Sequence, residues 1–239
     1  MGNGFADSQN IGTLTVRVNG IPGELKFGEW KWDRVWSTIS YSDGDTSRRD
    51  FFVGQIGQQI SGGVRTLTDV DTNMPRDGVN GLPIDWEIFV FSMRTKILDV
   101  VGSNDPETQP SNSTWEDSVN ADTPNRRMWF ELDRKCMLDF KVNNKTRSQG
   151  RFEDYPSAGG INVVTNDVAE TLANNGIPSP RDGFQYVIPV HLRPNVSFKV
   201  GCQPVVALQL TQAQQVNDAD NTTVEPQVQF EGLLKVPVT

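Results

Sequence analysis

Apolar residues alternate with polar ones along most of the chain. In Gly12-Thr13-Leu14-Thr15-Val16-Arg17-Val18, Leu14, Val16 and Val18 share one face, and Thr13, Thr15 and Arg17 share the other. A period of two, rich in β-branched residues, predicts a half-buried strand. Asn19-Gly20 and Pro22-Gly23 punctuate a turn, and Leu25 and Phe27 resume the alternation. Residues 35–41 are a further strand, closed by the turn Ser42-Asp43-Gly44-Asp45. The pattern then changes. Phe52, Ile56 and Ile60 recur every four residues between Ser47 and Gly62-Gly63, which predicts a short helix weakened by Gly54 and Gly57. Alternation returns over 64–70, and 71–83 is a turn-rich loop. Residues 84–101 fit a helical stripe as well as a strand, and the run Ile88-Phe89-Val90-Phe91 decides for strand.

Residues 102–125 are polar and acidic, carrying Asp105, Glu107, Glu116, Asp117 and Asp122, and they read as a boundary between two halves. Beyond it, strands are predicted at 128–132, 136–142, 161–164, 186–192, 196–200, 205–210 and 228–236. Asn166-Asp167 is the cap of a short helix running through Leu172 and ending at Asn174-Asn175-Gly176. Residues 143–160 read as turns and 212–226 as an exposed loop. Many short strands separated by turn signals predict an all-β protein, a jelly-roll sandwich or barrel. The expected form is two compact jelly rolls in tandem, residues 1–110 and 111–239, with one or two short helices. One elaborated jelly roll is the alternative.

Composition narrows the function. The chain has 239 residues, 22 Lys+Arg against 30 Asp+Glu, and a net charge of −8. Nucleic-acid binding is driven by cations that release counterions, and the best basic run is Arg126-Arg127, so no direct nucleic-acid binding is expected. No apolar window is long enough for a membrane-spanning helix. The first residues lack a basic stretch followed by an apolar one, so no secretory signal is expected. On that basis the four Asn-x-Ser/Thr sites, at Asn112, Asn144, Asn195 and Asn221, read as chance.

Candidate chemistry is sparse. Cys136 and Cys202 are too few for a disulfide framework or a zinc site and read as buried thiols. His191, the single histidine, sits between Val190 and Leu192 in a strand and reads as structural. Asp69-x-Asp71-x-Asn73 starts like a calcium loop, but Met74 and Asn80 occupy the positions that need Gly and Glu. Gly54, Gly57, Gly62 and Gly63 do not form a phosphate loop. Trp30, Trp32, Trp36, Trp86 and Trp129 lie in or beside predicted strands and read as core, whereas Trp115 suits a contact surface. Abundant carboxylates leave a glycosidase-type pair open, yet no catalytic, cofactor or metal residue is assigned, and the protein is expected not to be an enzyme.

One stretch carries a resemblance. Arg49-Asp50-Phe51-Phe52-Val53 is followed by Asp71-Thr72-Asn73-Met74-Pro75, then Gly78, then Gly81-Leu82-Pro83 and the strand from Trp86 to Ile97. It resembles the early part of major capsid proteins of tailless icosahedral phages of the jelly-roll lineages, over about 50 residues. The resemblance implies a viral shell protein of upright jelly rolls, assembled as trimers with other capsid proteins around it. In several such phages the shell encloses a membrane. Its motif residues here are Phe51, Phe52, Asp71, Thr72, Asn73, Met74, Gly81, Leu82 and Pro83. The expected place is the virion, after synthesis in the host cytoplasm, with no cofactor. A jelly-roll receptor- or carbohydrate-binding spike is the alternative function. It predicts exposed tryptophans on one surface.

Overall fold

The computed structural model describes residues 13–18, 21–26, 30–74, 82, 85–101, 131–156, 162–165, 171–174, 183–194, 196–210 and 223–235. Their strands, in chain order, are β1 (Thr13–Val18), β2 (Ile21–Lys26), β3 (Lys31–Thr38), β4 (Tyr41–Ser42), β5 (Arg49–Phe51), β6 (Glu87–Val101), β7 (Cys136–Val142), β8 (Lys145–Arg151), β9 (Asn162–Thr165), β10 (Thr171–Asn174), β11 (Phe184–Leu192), β12 (Phe198–Pro204) and β13 (Thr223–Lys235). A helical turn covers 131–135, and a 3-10 turn covers Phe152–Asp154.

Two antiparallel sheets form a sandwich. The larger runs β11-β6-β13-β3, with β4 also paired to β13, and the smaller runs β5-β12-β7-β8. β1 with β2 and β9 with β10 are separate hairpins. One core fills the space between the sheets. Val35, Met93, Ile97, Val228 and Phe230 from the larger sheet meet Phe51, Leu138, Phe140, Phe198 and Val200 from the smaller. Phe140 lies 4.9 Å from Phe230, ring to ring, so the two inner faces interlock through aromatics.

All-β sandwich character is thus present, but among the described residues the strands of 1–110 and of 111–239 are not sorted into separate pairs of sheets. β6 pairs with β11 and β13, and β5 pairs with β12, so strands from both stretches share each sheet and one core. The hydrophobic grammar repeats because strands from both stretches, β3, β6, β7, β12 and β13 among them, present one face to that common core.

Several local expectations are corrected. No helix forms after Ser47. β5 ends at Phe51, Phe52 adopts a left-handed backbone (φ 61°), and Gly57 does so again (φ 87°). The four-residue spacing there buries Phe52 and Ile60 from an irregular loop. Residues 64–70 contribute only the bridge Gln59 to Thr66 rather than a strand. Residues 131–132 are helical, 145–151 form β8, and 171–174 are a strand instead of the end of a helix. Residues 205–210 form no strand, and 223–226 belong to β13 rather than to a loop. The 102–125 segment, Trp115, Trp129, Gly81 and Pro83 lie outside the described residues.

Candidate interaction surface

Most of the motif singled out above converges on the edge strand β3. Trp36 and Arg34 turn backbone groups away from β13, and Asn73 meets them like a missing strand. Asn73 Oδ1 accepts the Trp36 N–H (3.0 Å), and Asn73 Nδ2 donates to the Arg34 carbonyl (2.7 Å). Thr72 Oγ1 donates to the Trp36 carbonyl (3.1 Å), and Thr38 Oγ1 donates to the Asp71 carbonyl (2.7 Å). An open strand edge is a template for unwanted pairing, and here side chains close it. Met74 then enters the inter-sheet core. Leu82 joins the same core, and Phe51 and Phe52 lie there too. The Phe52 N–H bonds to Ser37 Oγ on β3 (2.8 Å), and its ring stacks on Phe230 at 5.0 Å.

Asp71 has a second task. Its carboxylate takes both terminal nitrogens of Arg65 (2.6 and 2.7 Å) and the N–H and Oγ1 of Thr68 (2.7 and 2.8 Å). Arg65 Nε reaches Glu225 on β13 (2.7 Å). Burial pushes the Asp71 pKa up. The bonds from Arg65 and Thr68 outweigh it and hold the carboxyl below its ordinary value. Asp71 is therefore a loop anchor, which accounts for it without a cation.

The outer face of the larger sheet divides into two fields, set by the strand registers. In the first, Trp32 on β3, Leu233 on β13 and Phe89 on β6 stand in one row. Trp30, Phe89 and Leu233 make a small cluster separate from the main core, with Phe91 packed against it. Trp30 lies 5.2 Å from Phe89, and Phe89 stacks on His191 at 4.0 Å. Trp32, by contrast, is 60% exposed and leans on Phe91 at 5.5 Å. Trp30 is buried as expected, while Trp36 and Trp86 are half-buried. Trp32 departs from the core expectation: it shares the outer face with the half-buried Trp36 yet stays 60% exposed.

In the second field, Arg34, Glu231 and Ser92 form one row, and Trp36, Gln229 and Arg94 the next. Glu231 pairs with Arg34 Nε (2.7 Å) and Arg94 Nη2 (2.9 Å) and accepts from Ser92 Oγ (3.1 Å). Lys96 stands opposite Gln227. Burial lowers its pKa, and the nearby Arg34 charge lowers it further.

His191 bonds through Nε2 to Glu87 across the β11–β6 pair, and Arg193 Nε donates to its Nδ1 (3.3 Å). Burial drives the imidazole pKa down against the pull of Glu87. Nothing in the spacing of the sequence pointed to Glu87 as its partner. Cys136 and Cys202 are both buried on β7 and β12, and their thiols share a hydrogen bond that, with burial, raises the Cys136 pKa. Cys136 is not poised as a thiolate. A groove of about 250 Å³ lies between Asp50–Val53 and Ser197–Lys199.

Against known proteins, no family model matches the chain, and no curated protein matches it at a significant level.

Proposed function

We propose that the chain is a structural, non-catalytic subunit of an icosahedral viral shell, a jelly-roll protein that works by assembling with copies of itself and with other capsid proteins. The observation that carries this reading is the placement of exposed apolar side chains on both edges of the larger sheet. Trp32 projects from β3, and Val187 (99% exposed) and Ile188 (77%) project from the irregular stretch of β11. Contact between two unlike edges is head-to-tail, and such contacts close into rings when the rotation permits. A trimer is the expected ring. The resemblance of the Phe51–Met74 stretch to phage capsid proteins supports the same reading, because that stretch spends its residues on clasping β3 into a rigid building block. The acidic chain would leave genome neutralisation to another layer, and an internal membrane beneath the shell fits that division. The subunit would be made in the host cytoplasm and reside in the virion.

Negative-stain imaging of the concentrated protein is expected to show trimers or closed shells, and I188D to disrupt them. Single-subunit particles, indifferent to I188D, would sink the reading.

A second reading, a jelly-roll module that binds a receptor or a carbohydrate, is favoured by Trp32, whose indole is 60% exposed two residues from Arg34 on β3.

A further inference from the structure

We propose that the outer face of the smaller sheet, at the groove beside the start of β12, docks the acidic 105–122 segment of a neighbouring copy of this chain. The inference rests on the self-assembly reading and names one contact through which it works.

The groove comes from an incomplete strand edge. β5 covers β12 only at Val200, Gly201 and Cys202. It stops there because the chain turns away at Phe52, whose backbone is left-handed (φ 61°). β12 begins at Phe198 and so runs past the end of β5. The space left between Asp50–Val53 and Ser197–Lys199 is about 250 Å³. That is below the ~300–1,000 Å³ of a small-molecule pocket and suits a short piece of peptide. An uncovered strand edge is itself a template for added chain. Val53 is exposed at one lip of the groove and Lys199 at the other.

Charge says which peptide. Lys141 on β7 and Lys199 on β12 point away from the core and stand directly opposite one another. Like charges so placed repel. Arg147, the extra residue where the β7–β8 register shifts at Phe140 and Lys141, is exposed on the next strand. Strands lie ~4.8 Å apart, so cations from three adjacent strands fall within roughly 10 Å. The carboxylates of this face are already engaged. Arg48 takes both oxygens of Asp139 (2.6 and 3.1 Å) and, through Nε, Asp50 (3.0 Å), and Lys141 shares Asp139 (2.7 Å). Among the described residues, Lys199 and Arg147 pair with no carboxylate. Spare positive charge on a chain of net charge −8 marks a place for an anionic partner.

The chain carries the complement. Residues 102–125 hold Asp105, Glu107, Glu116, Asp117 and Asp122 and no Lys or Arg. Trp115-Glu116-Asp117 sets an aromatic beside two carboxylates, which matches a groove with an apolar lip and a lysine rim. The segment rejoins the described chain at Glu131, just before Cys136. Cys136 is the end of β7 remote from Lys141, about 17 Å away. Docking on a neighbour spares the segment from doubling back along its own sheet. A nucleic acid is disfavoured, since three cations on an acidic chain cannot offset a continuous phosphate backbone.

Light scattering on the full chain would compare wild type with two charge reversals, K199E/R147E at the groove and E116K/D117K in the segment, each checked for native circular dichroism. Each alone is expected to associate about tenfold or more weakly. For E116K/D117K this runs against the reduced negative charge, which by itself favours association. An equimolar mixture of the two should recover association to within about threefold of wild type, because reversed segments then meet reversed grooves. Wild-type assembly that neither reversal weakens would overturn the inference and leave the shell reading in place. Weakening that mixing does not repair would place the contact within one chain and overturn docking on a neighbour. A wild type that stays monomeric at every concentration would overturn both.

Discussion

Replacing Arg65 by Met tests whether the 65–74 loop is held by charge. Arg65 touches two carboxylates, Asp71 and Glu225, each with a side chain only 3% exposed, while its own side chain is 37% exposed. Removing one member of a fully buried pair costs about 3–5 kcal/mol, because the remaining charge is stranded. Here solvent reaches the guanidinium and Thr68 still bonds Asp71, so the expected loss is about 2–4 kcal/mol at pH 7. For a chain of this size that lowers the melting midpoint by about 5–12 °C. The pH dependence supplies the sharper check. Asp71 has a folded-state pKa below its unfolded value. Its contribution is therefore full above the unfolded pKa and is lost as pH falls through the folded one. In R65M the buried carboxyl instead favours its protonated form, so the gap between R65M and wild type should narrow as pH is lowered from 7 towards 3. Urea unfolding followed by tryptophan fluorescence measures both quantities. A loss under about 1 kcal/mol, the range of a surface pair, or a gap that stays constant with pH, would refute the anchoring argument.

Three further outcomes follow from the structure. Phe52 combines a stacked core ring with a left-handed backbone (φ 61°), so Phe52→Ala should cost about 3–4 kcal/mol, and Phe52→Gly should be no worse than Ala, since glycine relieves the strain; thermal melts in which Gly falls well below Ala would contradict this. Asn73→Ala removes two bonds from the β3 edge and should cost about 1–2 kcal/mol while speeding hydrogen exchange at the Trp36 amide, a change that unaltered exchange would rule out. Partial burial, with the Glu153 charge, raises the Asp133 pKa to about 7, so the folded state binds the extra proton and wild-type stability should fall as pH rises from about 4 to 7; D133N should be the more stable protein at pH 8 but not at pH 4, and an equal difference at both would count against a half-buried, charged Asp133.

How far the sequence was legible depends on what each residue answers to. β7 was read to the residue because Cys136, Leu138, Phe140 and Val142 all face the core and their alternation is undisturbed. β8 was missed for the opposite reason. Lys145–Arg151 is an edge strand with no apolar residue, held by backbone pairing to β7. The start of β13 was hidden because Glu225 and Gln227 are polar yet buried, satisfied by Arg65, Thr38 and the Val70 carbonyl. Such partners lie 157 to 189 positions away and leave no local trace. Leu208 and Leu210 alternate like a strand, but their backbone groups bond to Asp45, Gly44 and the Asp43 carboxylate instead of a neighbouring strand. At the candidate surface, three tryptophans spaced 30, 32 and 36 were visible as aromatics in a strand. Trp32 and Trp36 share the outer face of the larger sheet, so alternation along β3 carries no sign that Trp32 is the more exposed of the two.

The central claim is self-assembly, and the solution mass tests it most directly. Light scattering on the purified protein across a concentration series should give a stable trimer or larger closed assemblies, with I188D shifted towards the single chain. A strict monomer of 26.6 kDa at every concentration would contradict the shell reading and leave the tryptophan-bearing face as the place to look for function.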